Sequence, residues 1–63
     1  MSKFKVGQWV TVAGEGMEAF KIEDIDEQGK RVGVDGCWES MRKCRIVPAN
    51  QVEKVEKYIY IGK

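Results

Sequence analysis

Turn signals punctuate the first 48 residues so closely that only short extended segments fit between them. Gly14 and Gly16 flank Glu15, Gly29 sits in the polar run "DEQGK", Asp35-Gly36 is a hairpin dipeptide, and Pro48 is the single proline. The segments in between carry a period of two. "VGQWVTVAG" places Val6, Val10 and Val12 on one face and Trp9 and Thr11 on the other. In "EAFKIEDID", Phe20 and Ile22 share a face, but Ile25 stands three positions beyond Ile22 and out of step. A β-bulge or sharp bend near Glu23 and Asp24 returns Ile25 inward. "RVGVDG" sets Val32 and Val34 on one face ahead of the turn, "CWES" resumes the chain, and "CRIV" forms a last short strand before Pro48. Strands separated by turn signals every eight to twelve residues or so predict a small antiparallel barrel or sandwich, not a helical bundle. Closing the sheet hides strand edges and turns one apolar face inward.

After Pro48 the spacing changes. "ANQVEKVEKY" sets Val52, Val55 and Ile59 at helical intervals, with Asn50 as a cap, Glu53 in the capping-box position and Glu53–Lys57 as an i,i+4 pair. The final "YIYIGK" alternates like a strand instead. The expectation is a helical turn or two from Asn50, then an extended tail whose start stays open between the two patterns.

With 63 residues the chain is read as one domain over residues 1–63, a barrel over about residues 4–48 and the helical turn and tail over 49–63. So short a chain buries only about 60% of the surface it exposes when unfolded, so a staple, a metal or a partner subunit would help. The sequence contains no histidine, and two cysteines cannot complete a four-ligand zinc site. Cys37 and Cys44 can reach one another, but a single pair is thin for a secreted disulfide framework. "MSKFKVGQWV" has no apolar run of signal-peptide length, and no segment has the ~18 consecutive apolar residues of a membrane span. The expectation is a cytoplasmic protein with reduced thiols, no cofactor, no metal and no membrane association. A second copy pairing through the apolar tail remains open beside intramolecular packing of that tail.

At this point the pattern resembles the Src homology 3-like small barrels, the broad group that includes KOW and Tudor-type domains. The resemblance rests on "KVGQWVTV", "FKIEDID" and "KRVGVDGCWESMRKCRIVP", covering about residues 4–48. It implies an all-β, five-stranded antiparallel barrel in which Ser40 to Lys43 form one helical turn and Met41 drops into the core. Domains of this kind bind proline-rich peptides, methylated residues or nucleic acid, or attach to large assemblies, so the fold does not choose a function. Proline-peptide binders carry an "ALYDY"-type aromatic motif, absent here, beside an acidic loop, present here. Methyl-lysine readers use a cage of several rings; Trp9, Trp38 and Tyr58 or Tyr60 are the rings this chain has to offer.

A net charge of +1 conceals segregation. Residues 13 to 27 hold six carboxylates against Lys21; residues 30 to 47 hold five cations against Asp35 and Glu39. Such a dipolar surface orients a charged partner. It falls short of the basic footprint of a dedicated nucleic-acid binder, whose pI usually exceeds about 9. The acidic stretch misses the calcium-loop pattern and reads as a solvated turn. Cys44 shares a strand face with Ile46, which makes it a small core residue, and without histidine there is no cysteine–histidine catalysis. The functional expectation is a non-catalytic module for protein–protein recognition. Trp9 and Trp38 are the contact candidates, and Glu23, Asp24, Asp26 and Glu27 orient a basic partner. The alternative is a nucleic-acid surface in which Lys30, Arg31, Arg42, Lys43 and Arg45 meet phosphates while Trp38 stacks on a base.

Overall fold

In a computed structural model, residues 3–62 are described. The described residues fold as seven short strands: β1 (Trp9–Val12), β2 (Ala19–Asp26), β3 (Arg31–Val34), β4 (Cys37–Ser40), β5 (Cys44–Val47), β6 (Val52–Lys54) and β7 (Tyr58–Tyr60). The first five form one antiparallel sheet in the order β4-β3-β2-β1-β5, and β6 and β7 form a two-stranded hairpin. The domain is all-β.

Each junction has a local cause. Asp35 and Gly36 both adopt positive φ, at 50° and 77°, the geometry of a two-residue hairpin loop that turns with the strand twist. The β2–β3 turn is held by the Asp26 carboxylate, which accepts the Gly29 N–H at 2.9 Å and pairs with the Arg31 guanidinium at 2.8 Å. Ser40 caps a single 3-10 turn, Met41–Lys43, by accepting the Arg42 N–H at 3.2 Å, and Met41 packs against the core. The register of β2 against β3 slips between Ile22 and Asp24, the bulge that Ile25 requires: Ile22 then faces Val34 and Ile25 faces Val32.

The inner face gathers Val10, Ile22, Val32 and Val34 with Phe4, and Phe20, Ile25, Met41, Cys44 and Ile46 pack against that cluster. Burying a side chain the size of Ile22 or Val10 stabilises the fold by about 1.5–3 kcal/mol. Among the described residues no polar or charged side chain is buried with them.

Two expectations are corrected. Val6 does not continue the β1 stripe: it is 63% exposed, because Gly7 takes a φ of 96° and breaks the alternation two residues before the strand begins. The Gly7 N–H donates to the Ile22 carbonyl, and Phe4 fills the place expected of Val6. The helical stripe after Pro48 is the second. One 3-10 turn spans Ala49–Gln51, with Pro48 rather than Asn50 at its cap, and Val52 to Tyr60 form a hairpin instead of a helix and extended tail. Lys57 pairs with Glu18 at 3.6 Å, not with Glu53. An isolated helix of this length is marginal in water. The hairpin gains cross-strand pairs and a docking place: Tyr60 donates its N–H to the Met17 carbonyl, and Ile59 bridges to Glu18.

Candidate functional site

Cross-strand register sorts the outer face of the sheet into rows. Lys21, Trp9 and Val47 form one, Ala19, Thr11 and Arg45 a second. Asp24, Gly33 and Trp38 form a third, and Asp26, Arg31 and Ser40 a fourth. Both tryptophans therefore stand on the same face, at opposite ends of it.

Their surroundings differ. Ala19 and Val47 are buried although they stand in the outer-face rows, and Tyr58 of the C-terminal hairpin meets Trp9 on that side. Trp9 is half-buried against Tyr58, ring centroids 4.6 Å apart and planes tilted by 50°, while the Lys54 ammonium stands 5.5 Å from the Tyr58 ring. Trp38 is 49% exposed. It lies over Gly33, where an added Cβ would meet the indole at an ordinary contact distance of 3.6 Å and crowd the Asp24 Cβ at 3.3 Å. The Arg31 guanidinium sits 5.6 Å from the Trp38 ring centre, pinned by its bond to Asp26. That bond and the Gly29 N–H hold the Asp26 carboxyl below its ordinary pKa, the backbone hydrogen bond having the larger effect.

Two grooves open beside the tryptophans. The larger, about 480 Å³, is lined by Trp9 and Tyr58, by the carboxylates Glu18, Glu23 and Asp35, and by Lys21 and Lys57, the latter paired with Glu18. The smaller, about 200 Å³, is lined by Glu23, Asp24, Gly33, Gly36, Cys37 and Trp38 and has no cation in its wall. Glu23 belongs to both, because the bulge turns consecutive acidic side chains of β2 outward. Of the acidic candidates, Glu23 and Asp24 thus meet the tryptophans, Asp26 is engaged by Arg31, and Glu27 is exposed in the β2–β3 turn. Asp35 and Glu18 were not singled out as contact residues by the sequence, and Tyr58 only as one of the rings available for a cage; the "DG" signal marked Asp35 as a turn residue only.

The basic candidates divide. Arg31 lies beside Trp38 on β3, and Lys30 is exposed at the preceding turn with a φ of 55°. Arg42, Lys43 and Arg45 instead line a third groove of about 490 Å³ at the other end of the sheet, with Thr11, Met17 and Tyr60. Trp38 does not border it. The available rings do not form one cage either: Trp9 pairs with Tyr58, and Trp38 with Arg31.

Both cysteines are free thiols. Burial, with the Glu39 carboxylate adding to it, pushes the Cys44 thiol above its ordinary pKa, the reverse of what a nucleophilic cysteine needs. Among the described residues no cluster of three or more His, Cys, Asp or Glu side chains is placed to hold a metal, and no helix is long and apolar enough to cross a membrane. No protein-family model, curated protein or solved structure matches the chain.

Proposed function

We propose that this domain is a non-catalytic, cytoplasmic binding module that docks a lysine- or arginine-bearing segment of a partner protein across the two acid-walled tryptophan grooves. The single observation that carries the reading is the shared wall: Glu23 borders both grooves, with Trp9 in one and Trp38 in the other. A cation entering the smaller groove meets the Glu23 and Asp24 carboxylates and the Trp38 ring together, and a cation over a tryptophan face contributes about 0.5–1 kcal/mol at an exposed site. The larger groove adds apolar contact from Trp9 and Tyr58.

The fold expected for such a module is the closed Src homology 3-like barrel. Its support is the strand order, with β1 between β2 and β5, and the 3-10 turn at Met41–Lys43 between β4 and β5, where that architecture has one.

Titration calorimetry against a panel of lysine- and arginine-rich peptides tests the function. The expected result is saturable binding that weakens in Trp38→Ala and in Glu23→Gln/Asp24→Asn, and fades with salt. A panel that shows no binding even at low ionic strength, or binding indifferent to both variants, sinks the proposal.

A further inference from the structure

The third groove has a chemistry opposite to the first two. Arg42, Lys43 and Arg45 are all exposed at its wall, and among the described residues none of the three has a salt-bridge partner. Among the described residues no carboxylate lines it. Glu15 stands in the same β1–β2 loop, and Glu39 lies near enough to act on the Cys44 thiol, but neither forms part of the wall. Three unneutralised cations gathered about one concavity repel one another and are relieved by an anion.

The remaining wall narrows what kind of anion. The half-buried Tyr60 lines the same groove, its backbone held by its bond to Met17, and Met17 itself is exposed. The Thr11 hydroxyl is on the same face as Arg45, its partner in the β1–β5 register. Aromatic ring, thioether, hydroxyl and two guanidinium forks together suit a phosphate-linked chain with flat bases: the forks match phosphate oxygens in pairs, and a base stacks on the ring. A carboxylate-rich peptide would use the cations and leave Tyr60 and Met17 unmatched.

We propose that this groove is a binding surface for single-stranded nucleic acid, built from Arg42, Lys43 and Arg45 with Tyr60 as the stacking ring. It excludes Trp38, Lys30 and Arg31, which belong to the opposite end of the sheet, and it does not depend on the peptide-docking proposal, which uses other side chains. The smaller tryptophan groove, walled by Glu23 and Asp24 without a cation, repels phosphate and so favours this end of the domain for a strand.

Fluorescence anisotropy with a fluorescein-labelled oligothymidylate of about 12 nucleotides, long enough for one small-barrel footprint, reads the binding. Three phosphate contacts predict a log–log salt slope of about −2, so raising salt from ~50 to ~200 mM weakens binding about 20-fold. Arg42→Gln/Lys43→Gln/Arg45→Gln, all at exposed positions and expected to leave the circular dichroism spectrum unchanged, is expected to reduce affinity at least about tenfold at low salt and flatten the slope. Arg31→Gln and Trp38→Ala are expected to bind as the unaltered protein does. Tyr60→Leu is expected to weaken binding severalfold with the slope unchanged. Absence of binding at low salt, indifference to the triple substitution, or equal loss in Arg31→Gln overturns the proposal. So does polyglutamate competing as well as unlabelled oligothymidylate at equal charge, which would assign the groove to an acidic protein.

Discussion

Trp9 and Trp38 occupy the same face of the same sheet and have opposite fates. Trp9 is roofed by the C-terminal hairpin through Tyr58, alongside the buried Ala19 and Val47. Trp38 has no such roof: it rests on Gly33, is flanked by the Arg31–Asp26 pair and leaves half its surface in water. The difference teaches where stability ends and availability begins on a 63-residue domain. One end of the outer face is used for a second, small apolar layer, which a chain with so little core needs. The other end keeps a large ring half exposed beside carboxylates.

The inner face supports both ends, so its disruption should erase the contrast. Ile22→Ala removes a fully buried side chain opposite Val34 and is expected to destabilise the domain by about 2–5 kcal/mol in urea unfolding, enough to leave much of it unfolded. A loss below about 1 kcal/mol would mean the core is organised differently.

The roof comes next. Tyr58→Ala is expected to cost about 1–2 kcal/mol and to shift the Trp9 emission toward the red in a Trp38→Phe background, as the ring loses its partner. Trp38→Ala tests the other half of the comparison: it should change unfolding free energy by less than about 1 kcal/mol, the worth of its exposed contacts. If Trp38→Ala proved as damaging as Tyr58→Ala, the exposed ring would be structural and the contrast would collapse.

Much of the inner face was legible because its cues are local. Asp35-Gly36 encodes its own turn, the three-residue gap from Ile22 to Ile25 demands a bulge, and Cys44 and Ile46 share a strand face. The outer face was not, because its partners are distant in sequence. Nothing near Trp9 announces Tyr58. The run "VEKVEK" carries the helical spacing, and what overrides it is a set of contacts with Met17 and Glu18 that only the folded chain supplies. The five cations look like one patch when read in order. Strand order separates them, with two strands, β2 and β1, between β3 and β5.

Smaller effects sharpen the same distinction. Cys37 is exposed beside Trp38, whereas Cys44 is half-buried under the sheet with its thiol held protonated. Alkylation of the folded protein at neutral pH, followed by mass spectrometry, should therefore label Cys37 well before Cys44; simultaneous labelling would show that the inner face opens. The Arg31–Asp26 pair beneath Trp38 gives the weakest signal. Because the Asp26 pKa is lower in the folded chain than in the unfolded one, its contribution is present at neutral pH and fades as pH falls below about 4, through the folded value. Asp26→Asn should flatten the acid limb of the stability curve without altering it near pH 7 beyond the loss of an exposed pair. An acid limb identical to that of the unaltered protein would mean that the pair does not form.

The central claim is that the unroofed tryptophan is the one that meets a partner. In Trp9→Phe the sole remaining indole is Trp38, and in Trp38→Phe it is Trp9. Titrating each with a lysine- and arginine-rich peptide at low salt, and following emission, isolates the two ends of the face. A saturable change in Trp9→Phe that is much reduced in Glu23→Gln/Asp24→Asn is the predicted result. A flat Trp38 signal while binding proceeds by calorimetry, or a response confined to Trp9, would contradict it.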